Sequence, residues 1–287
     1  MIGIILAGGV GTRLWPLTKG ISKQLLPIYD KPMIYYPLST LMLAGIREVC
    51  IITTPRDLPL FQKLLGTGEQ LGLILHFFVQ DRPNGIAEAF IITKEIIEGK
   101  KSVLILGDNI FHGPDVGRNL EKFTDISGAQ IFAYPVGEPS EFGVIVVDED
   151  GEAQEIVEKP NRYISNLAVT GLYFYDETVI EKAQKLEKSN RGELEITSIN
   201  ELYLKEKKLH VEILNRGTVW LDGGTIQSLN AASEYVRIIE ERQGYKIGCI
   251  EEIAWRNGWI DNEKLQDIAN SMKNSPYSDY LTGLKSS

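Results

Sequence analysis

Near its start the chain reads Ile2-Gly3-Ile4-Ile5-Leu6-Ala7-Gly8-Gly9-Val10-Gly11-Thr12-Arg13-Leu14. The run Ile2–Leu6 is almost continuously apolar, which is typical of a strand buried on both faces of a parallel sheet. The glycines that follow it allow backbone N–H groups to approach a phosphate, because no Cβ stands in the way. A first strand that runs into such a loop predicts an α/β fold with an anion-binding loop after the strand.

Short apolar runs and longer amphipathic stretches alternate through the first half of the chain. The predicted strands are Ile2–Leu6, Val49–Ile52, Leu73–Phe78, Val103–Leu106 and Ala129–Tyr134. The predicted helices are Met33–Ala44, Leu58–Leu65, Ile86–Ile97 and Val116–Phe123. This order indicates a Rossmann-like, mostly parallel or mixed central sheet flanked by helices, with ligands at the carboxyl ends of the strands.

The second half has shorter and more polar connections. Its predicted strands are Val144–Val147, Gln154–Val157, Leu172–Tyr175 and Val211–Leu214. Its predicted helices are Glu177–Leu186, Leu194–Leu204 and Ser228–Arg242, followed by small helices after Gly248. Because no linker is visible, we predict one compact unit, with an α/β domain over residues 1–245 and a small helical C-terminal extension over 246–287.

Composition limits the classes of function. The 287 residues carry a formal net charge of -9, which argues against a nucleic-acid or anionic-membrane surface, since both are polyanions. Cys50 and Cys249 are the only cysteines, too few for a disulfide framework, and we expect buried reduced thiols. The N-terminus has no basic leader, and no apolar run approaches a membrane span. We therefore expect a soluble, cytoplasmic protein with no membrane partner.

The glycine loop matches neither of two common nucleotide motifs. Leu14 stands where a dinucleotide fingerprint needs its third glycine, and no Gly-Lys-Ser/Thr follows, as a Walker loop would require. The loop instead has Arg13, with Lys23 ten residues further along. Arg offers a fork that fits phosphate geometry and Lys a compact charge. The aromatic residues Trp15, Tyr35 and Tyr36 are predicted to pack.

The stretch Gly8-Gly9-Val10-Gly11-Thr12-Arg13-Leu14-Trp15-Pro16-Leu17-Thr18, with Lys23 after it, resembles the signature of nucleotidyltransferases that make nucleotide sugars. Residues 26–38 are similar to the glucose-1-phosphate thymidylyltransferases, and the resemblance extends to about residue 260. It implies the nucleotide-diphospho-sugar transferase fold, dTTP and glucose 1-phosphate as substrates, and Mg²⁺ as cofactor. It further implies a first step of dTDP-sugar synthesis, such as that of dTDP-rhamnose, and a homotetramer with end-product inhibition.

Two aspartates are candidates for binding the metal. Asp108 lies just beyond the predicted strand Val103–Leu106, and Asp222 lies in a glycine-containing turn. Carboxylates suit Mg²⁺, a hard cation that prefers oxygen ligands. By spacing alone either residue could be a turn or cap residue, and the resemblance makes them the metal pair of the family. Relatives usually have Thr at the next position, where this chain has Gly223.

The resemblance also assigns the substrate contacts. An amide such as Gln80 can both donate and accept hydrogen bonds, as a pyrimidine edge requires. Relatives often have Gln where this chain has Glu88, so that residue is not included. The implied nucleotide-binding set is Gly8, Gly9, Gly11, Thr12, Arg13, Lys23, Gln80, Gly85 and Asp108. The implied sugar-phosphate set is Gly143, Glu158, Lys159, Val169, Tyr173, Arg191, Trp220 and Asp222. The implied catalytic set is Arg13, Lys23 and Lys159.

Three other readings remain open. The same reaction with another nucleotide, such as UTP, is the nearest, because contacts through one amide discriminate weakly between pyrimidines. A sugar-nucleotide-binding regulator that lost the chemistry is disfavoured by Arg13, Lys23, Asp108 and Asp222 occurring together. A dinucleotide oxidoreductase is disfavoured by Leu14.

Overall fold

The computed structural model of the chain describes residues 1–284. The strands are β1 (Ile2–Ala7), β2 (Pro27–Ile28), β3 (Lys31–Pro32), β4 (Glu48–Thr53), β5 (Ile74–Val79), β6 (Ser102–Leu106), β7 (Asn109–His112), β8 (Ala129–Pro135), β9 (Gly143–Val147), β10 (Ala153–Glu158), β11 (Leu167–Tyr175), β12 (Leu209–Ile213) and β13 (Val219–Asp222). The helices are α1 (Tyr35–Leu43), α2 (Leu58–Leu65), α3 (Glu88–Ile92), α4 (Lys94–Ile97), α5 (Val179–Gln184), α6 (Ile196–Lys205), α7 (Ile226–Gln243), α8 (Ile250–Arg256), α9 (Asn262–Ser271) and α10 (Pro276–Gly283).

The central sheet is mixed. Its main path is β10-β9-β11-β6-β1-β4-β5, and β8 pairs with both β11 and β12. Strands β6, β1, β4 and β5 run parallel, whereas β11 runs antiparallel to β6 and to β8. Leu6 of β1 lies opposite Ile52 and Leu106, so the loops that follow β1 and β6 emerge at the same edge. The predicted fold class is confirmed.

Strand β1 is buried on both faces, as its sequence predicts. Ile4 packs in an apolar cluster with Phe90, and Ile5 packs in a separate cluster with Leu38. The second cluster also contains Ile250 of α8, and α8 contacts α1. The C-terminal helices thus share a core with the sheet, and the boundary between 1–245 and 246–287 stays a prediction.

A second, two-stranded sheet holds the two candidate metal ligands near each other. Strand β7 pairs antiparallel with β13, and this register places Asp222 opposite Asn109. The backbone N–H of Gly223 donates to the carbonyl oxygen of Asp108 (2.9 Å). After this turn α7 begins with a capping box, in which Thr225 and Ser228 exchange hydrogen bonds. Neither β7 nor β13 was predicted, because each is only four residues long.

Three local predictions were wrong. The segment Ile86–Ile97, predicted as one helix, contains two short helices that are divided at Thr93. The Thr93 hydroxyl donates a hydrogen bond to the carbonyl oxygen of Ala89 (2.8 Å), and bonds of this kind often bend a helix. The segment Val116–Phe123 holds a 3-10 helix rather than an α-helix. Trp15, expected to pack, is 51% exposed, with the ammonium of Lys19 5.7 Å from its ring.

Tyr36 is buried, as predicted, and both cysteines are buried and free. Among residues 1–284, none of the helices combines the length and the apolar character that crossing a bilayer requires.

Candidate active site

The loop after β1 needs glycine for two different reasons. Gly11 has a φ of +66°, a left-handed conformation that side chains disfavour. Gly8 has an ordinary conformation but little space, because a Cβ there would lie 2.8 Å from Gln80 Oε1. A Cβ on Gly9 would lie 3.9 Å from Lys23 Cε. Thr12 then begins a 3-10 turn. The loop therefore lies beside both Gln80 and Lys23.

Lys23 is paired with Asp108, the aspartate that follows β6. Their side chains are 16% and 15% exposed, respectively, and the contact joins the loop after β1 to the loop after β6. Burial raises the pKa of Asp108, but the charge of Lys23 and hydrogen bonds from Lys23 and Asn109 outweigh it, so this pKa lies below its usual range. Asp108 is thus held in its charged form.

Asp222 is in the opposite situation. Burial and the negative charge of Asp108 raise the pKa of its carboxyl, against the smaller influence of Lys23, Ser228 and Arg13. The two carboxylates therefore repel each other at the end of the β7–β13 pair, where Asp222 lies opposite Asn109. A cation placed between them would remove this repulsion.

This pair suits a divalent metal only if other oxygens complete the coordination. Residues 1–284 contain no cluster of three or more His, Cys, Asp or Glu side chains that could hold a metal ion. Mg²⁺ is commonly held by one or two carboxylates together with substrate phosphates and water. Asp108 and Asp222 fit that pattern, and phosphate oxygens of a bound nucleotide would supply the remaining ligands.

Asn109 was missed in the sequence and connects several parts of the site. It is 3% exposed, and its Oδ1 accepts hydrogen bonds from Trp220 Nε1 (2.6 Å) and from the backbone N–H of Gly171 (3.0 Å). Its Nδ2 donates to Asp108 Oδ1 (3.1 Å). A Cβ on Gly171 would lie 2.5 Å from Asn109 Oδ1, so this close approach requires glycine. Asn109 therefore ties β7, β11 and β13 to the Asp108 carboxylate.

A cleft of about 220 Å³ opens beside Asp108. It brings together the two aspartates and the predicted sugar-phosphate residues, with Asn109, Glu141, Thr197 and Asn200 as additional lining residues. The predicted residues along it are Gly143, Glu158, Lys159, Val169, Tyr173, Arg191, Trp220 and Asp222. Gly143 begins β9, where a Cβ would lie 3.3 Å from Glu158 Oε2.

Glu158, at the end of β10, has both carboxylate oxygens engaged. The hydroxyl of Thr197 donates to Oε2 (2.6 Å), and Arg191 Nη1 donates to Oε1 (3.2 Å). Arg191 also donates to Glu193 (3.1 Å). Lys159 follows in a left-handed conformation, with φ +44°. Burial and the charge of Glu158 raise the pKa of Tyr173 above its usual range, so that its phenol stays neutral. Thr197, in the first turn of α6, gave no sequence signal of its own.

Arg13 is largely exposed, in contrast to Lys23 and Asp108. Its side chain is 65% exposed and forms an ion pair with Glu141 at 3.8 Å. Glu141 itself lines the cleft, and the charge of Arg13 lowers the pKa of Asp222 slightly against the larger influences named above. Arg13 and the Lys23–Asp108 pair therefore act on the same region, at the end of the cleft nearest to the glycine loop.

Gln80 lies between the glycine loop and the segment before α3. It is 5% exposed, and its Nε2 donates to the carbonyl oxygen of Gly85 (3.2 Å) and to Glu88 Oε2 (2.7 Å). Gly85 has a φ of +110° and packs directly on Leu194, whose carbonyl oxygen would be 2.3 Å from a Cβ there. Glu88, omitted from the sequence assignment, is thus a direct partner of Gln80.

The departure at Gly223 also has a structural counterpart. A Cβ at this position would lie 2.4 Å from Met33 Cε and 3.0 Å from its Sδ. In this chain the space beside Gly223 is therefore filled by Met33, and a larger residue would require that flexible side chain to move.

Comparison with known proteins identifies the family. The profile of the nucleotidyl transferase family matches residues 2–237. The chain belongs to this family. It is therefore a nucleotidyltransferase enzyme, and members of the family generally use a divalent metal ion.

Relatives of this nucleotidyltransferase carry a more specific name. The glucose-1-phosphate thymidylyltransferase of Mycobacterium tuberculosis (strain ATCC 25618 / H37Rv) is 55% identical over 284 residues, 99% of each chain. That of Neisseria meningitidis (serogroup A / serotype 4A, strain DSM 15465 / Z2491) is 51% identical over 285 residues, again 99% of each chain. The resemblance noted in the sequence is confirmed.

Two solved structures agree with the fold of this nucleotidyltransferase. A crystal structure from Bacillus anthracis, described as a glucose-1-phosphate thymidylyltransferase in complex with a sucrose, is 39% identical with a TM-score of 0.76. It covers 83% of this chain and 96% of its own. A UDP-glucose pyrophosphorylase complexed with UDP-glucose is 26% identical with a TM-score of 0.72, covering 83% and 98%.

Proposed function

We propose that this nucleotidyltransferase transfers a thymidylyl group from dTTP to glucose 1-phosphate, giving dTDP-glucose and pyrophosphate. The observation that carries the proposal is the position of Asp108 and Asp222, between the glycine loop with Gln80 and the cleft that contains Glu158. The names of relatives that are 55% and 51% identical over the full chain support the same reaction.

In the proposed reaction a phosphate oxygen of glucose 1-phosphate attacks the α-phosphorus of dTTP in line. A new P–O bond forms as the bond to pyrophosphate breaks. Such a reaction needs positioning and charge neutralisation more than a side-chain nucleophile. We assign Lys23 to the triphosphate and Lys159 to the sugar phosphate, while Arg13 and the glycine loop (Gly8, Gly9, Gly11 and Thr12) stabilise the charge of the departing pyrophosphate.

The other residues of the cleft orient the sugar. Glu158 would accept hydrogen bonds from hexose hydroxyls, and its hydrogen bond with Thr197 fixes the carboxylate for that purpose. Gly143 has no side chain, so its backbone can approach the hexose. Val169, on the neighbouring strand β11, lines the same cleft and would contact the hexose through its backbone. Tyr173, Trp220 and Arg191 close the remaining sides.

We assign Mg²⁺ to Asp108 and Asp222. When bound there it would neutralise phosphate charge and align the reacting groups. The positions of the two carboxylates support this assignment, because the pairing of β7 with β13 places Asp222 opposite Asn109, the neighbour of Asp108.

The test is an assay of pyrophosphate release from dTTP, glucose 1-phosphate and Mg²⁺. We expect release that depends on all three, with dTDP-glucose as the second product. Omission of Mg²⁺ and substitution of Asp222→Asn should each abolish it. Absence of release above background with the complete mixture would refute the proposal, and nucleotide binding without turnover would favour a regulator.

UTP deserves a direct comparison, since a solved UDP-glucose pyrophosphorylase shares the fold at a TM-score of 0.72. Values of kcat/KM for dTTP, UTP, CTP and ATP, measured at saturating glucose 1-phosphate, would decide which nucleotide is used. We expect the highest value for dTTP. A higher value for UTP would reassign the nucleotide while leaving the reaction type intact.

We further propose a cytoplasmic homotetramer that is inhibited by its pathway's end product, as the resemblance implies. The free, buried cysteines support a reducing compartment. Light scattering with size exclusion should give four subunits, and dTDP-rhamnose should inhibit pyrophosphate release in a dose-dependent way. A monomer in solution would contradict the homotetramer, and unchanged activity at saturating dTDP-rhamnose would contradict the end-product inhibition.

A further inference from the structure

Glu88 fixes the orientation of the Gln80 amide. The terminal nitrogen of Gln80 lies between two acceptors, the carbonyl oxygen of Gly85 at 3.2 Å and Glu88 Oε2 at 2.7 Å. Neither acceptor carries a proton to donate when Glu88 is a carboxylate. The amide group that faces them must therefore be the NH₂ group.

The position of Glu88 is itself fixed. Its second oxygen, Oε1, accepts a hydrogen bond from Asn84 Nδ2 (2.8 Å), so both carboxylate oxygens are used as acceptors. The backbone around Asn84 is in turn anchored, because its carbonyl oxygen accepts from the N–H of Leu194 (2.6 Å). A rotation of the Gln80 amide by half a turn would place its oxygen against a carboxylate oxygen, which is repulsive.

The consequence is that Gln80 presents its oxygen to the glycine loop. Oε1 lies 2.8 Å from the position that a Cβ on Gly8 would take. The proposed nucleotide site therefore contains a fixed acceptor and not a donor beside Gly8. An acceptor in this place complements a base edge that donates a proton, as N3–H of thymine or uracil does, and opposes the unprotonated N3 of cytosine.

We propose that Glu88 is a positioning residue for nucleotide specificity, which acts through Gln80 to favour thymine and uracil over cytosine. This inference rests on the proposed function. A glutamine at position 88 can donate or accept, so it no longer opposes the flipped Gln80 amide. The carbonyl oxygen of Gly85 then remains as the weaker of the two restraints on the orientation of that amide. Unlike a contact to the thymine methyl group, this device does not distinguish thymine from uracil.

The test compares kcat/KM for dTTP, dUTP and dCTP in the wild type and in Glu88→Gln. We expect the dTTP:dCTP ratio to fall by roughly tenfold, because only one of the two acceptors that fix the Gln80 amide is changed, while the dTTP:dUTP ratio changes less than twofold. Asp81→Asn is the matched control, since it removes an exposed carboxylate from the same segment and should leave both ratios unchanged.

Gln80→Ala and the double variant Gln80→Ala/Glu88→Gln test whether Glu88 acts through Gln80. The double variant should show the same dTTP:dCTP ratio as Gln80→Ala alone. An unchanged dTTP:dCTP ratio in folded Glu88→Gln would overturn the inference, as would an equal fall in both ratios. If the wild type releases no pyrophosphate with any nucleotide, the proposed function itself fails, which is a distinguishable result.

Discussion

The two ends of the cleft are held in different ways. At the end next to the glycine loop, which we assign to the phosphates and call the phosphate end, Arg13 is largely exposed, and its ion pair with Glu141 spans 3.8 Å. At the opposite end, which we assign to the sugar and call the sugar end, Glu158 has hydrogen bonds on both oxygens. Asn109, which joins the inner wall of the cleft to Asp108, uses both amide atoms. The Arg13 guanidinium therefore stays accessible to a ligand, whereas the side chains of Glu158 and Asn109 are held in fixed orientations.

This difference in exposure and hydrogen bonding predicts which residues contribute to activity alone and which contribute to both activity and stability. An exposed cation with a long surface ion pair contributes little to stability. A buried amide with several partners leaves unsatisfied donors behind when it is removed, which costs free energy of unfolding. We therefore expect substitution of the exposed Arg13 to change activity only, and substitution of the buried, hydrogen-bonded Asn109 to change activity and stability in parallel. Lys23 and Asp108 form a largely buried pair and do not belong with Arg13 in this respect.

Arg13→Ala should give the largest loss of activity without a loss of stability. If Arg13 stabilises the departing pyrophosphate, kcat should fall roughly 10²-fold or more. The melting temperature should stay within about 1 °C, because surface ion pairs are worth little. Lys19→Ala removes another exposed cation of this loop and should retain near-wild-type kcat. A near-normal kcat in Arg13→Ala would remove the residue from the mechanism.

Asn109→Ala should reduce both the catalytic activity and the free energy of unfolding. The change leaves the buried Trp220 Nε1 and the N–H of Gly171 without their acceptor and releases Asp108. We expect a destabilisation of about 2–3 kcal/mol. If Asp108 holds the proposed metal ion, kcat/KM should fall roughly 10–100-fold, the effect typical of residues that support a metal ligand. Urea unfolding and initial-rate kinetics measure the two effects. Loss of activity with unchanged stability would contradict the distinction between the ends.

The parts of the site that local sequence patterns encode were the ones that could be predicted. The glycine loop and Asp108 each follow directly from a buried strand, so the strand pattern locates them. Asn109 could not be recognised, because an Asn after an Asp is typical of a turn, and its partner Trp220 is 111 residues away. Its role depends on the pairing of β7 with β13, two strands too short for periodicity to reveal.

The error at Trp15 has a related cause. Large aromatic residues are usually buried, but the converse rule that each exposed position is polar does not hold. Trp15 stands in a loop between two 3-10 turns, and its exposure depends on the path of that loop rather than on its own chemistry. Glu88 departs from the pattern of relatives and is therefore absent from the predicted nucleotide-binding set. Its carboxylate nevertheless accepts hydrogen bonds from Gln80 and Asn84.

Thr197→Val should sharpen the comparison within the sugar end. It removes the hydroxyl that donates to Glu158 Oε2 at 2.6 Å while keeping the shape of the side chain. A hydrogen bond to a charged group is worth about 1.5 kcal/mol or more, so we expect KM for glucose 1-phosphate to rise roughly tenfold. KM for dTTP should stay unchanged, and Thr197→Ser should restore most of the loss. Equal changes in both KM values would indicate a general disturbance instead.

Arg191→Gln should have the smallest effect. Arg191 lies at the sugar end of the cleft, but its side chain is exposed to solvent, as that of Arg13 is. Its side chain is 43% exposed and contacts Glu158 at 3.2 Å and Glu193 at 3.1 Å. Screening by water limits such pairs to less than about 1 kcal/mol, so we expect KM for glucose 1-phosphate to rise about threefold with no measurable change in melting temperature. Arg237→Gln is the matched control, since Arg237 on α7 is 42% exposed and pairs with Glu241 at 2.8 Å, away from the cleft. If Arg191→Gln lowered the melting temperature by several degrees, exposure would not be what distinguishes the two ends, and the number of partners alone would decide which residues of this cleft support the fold.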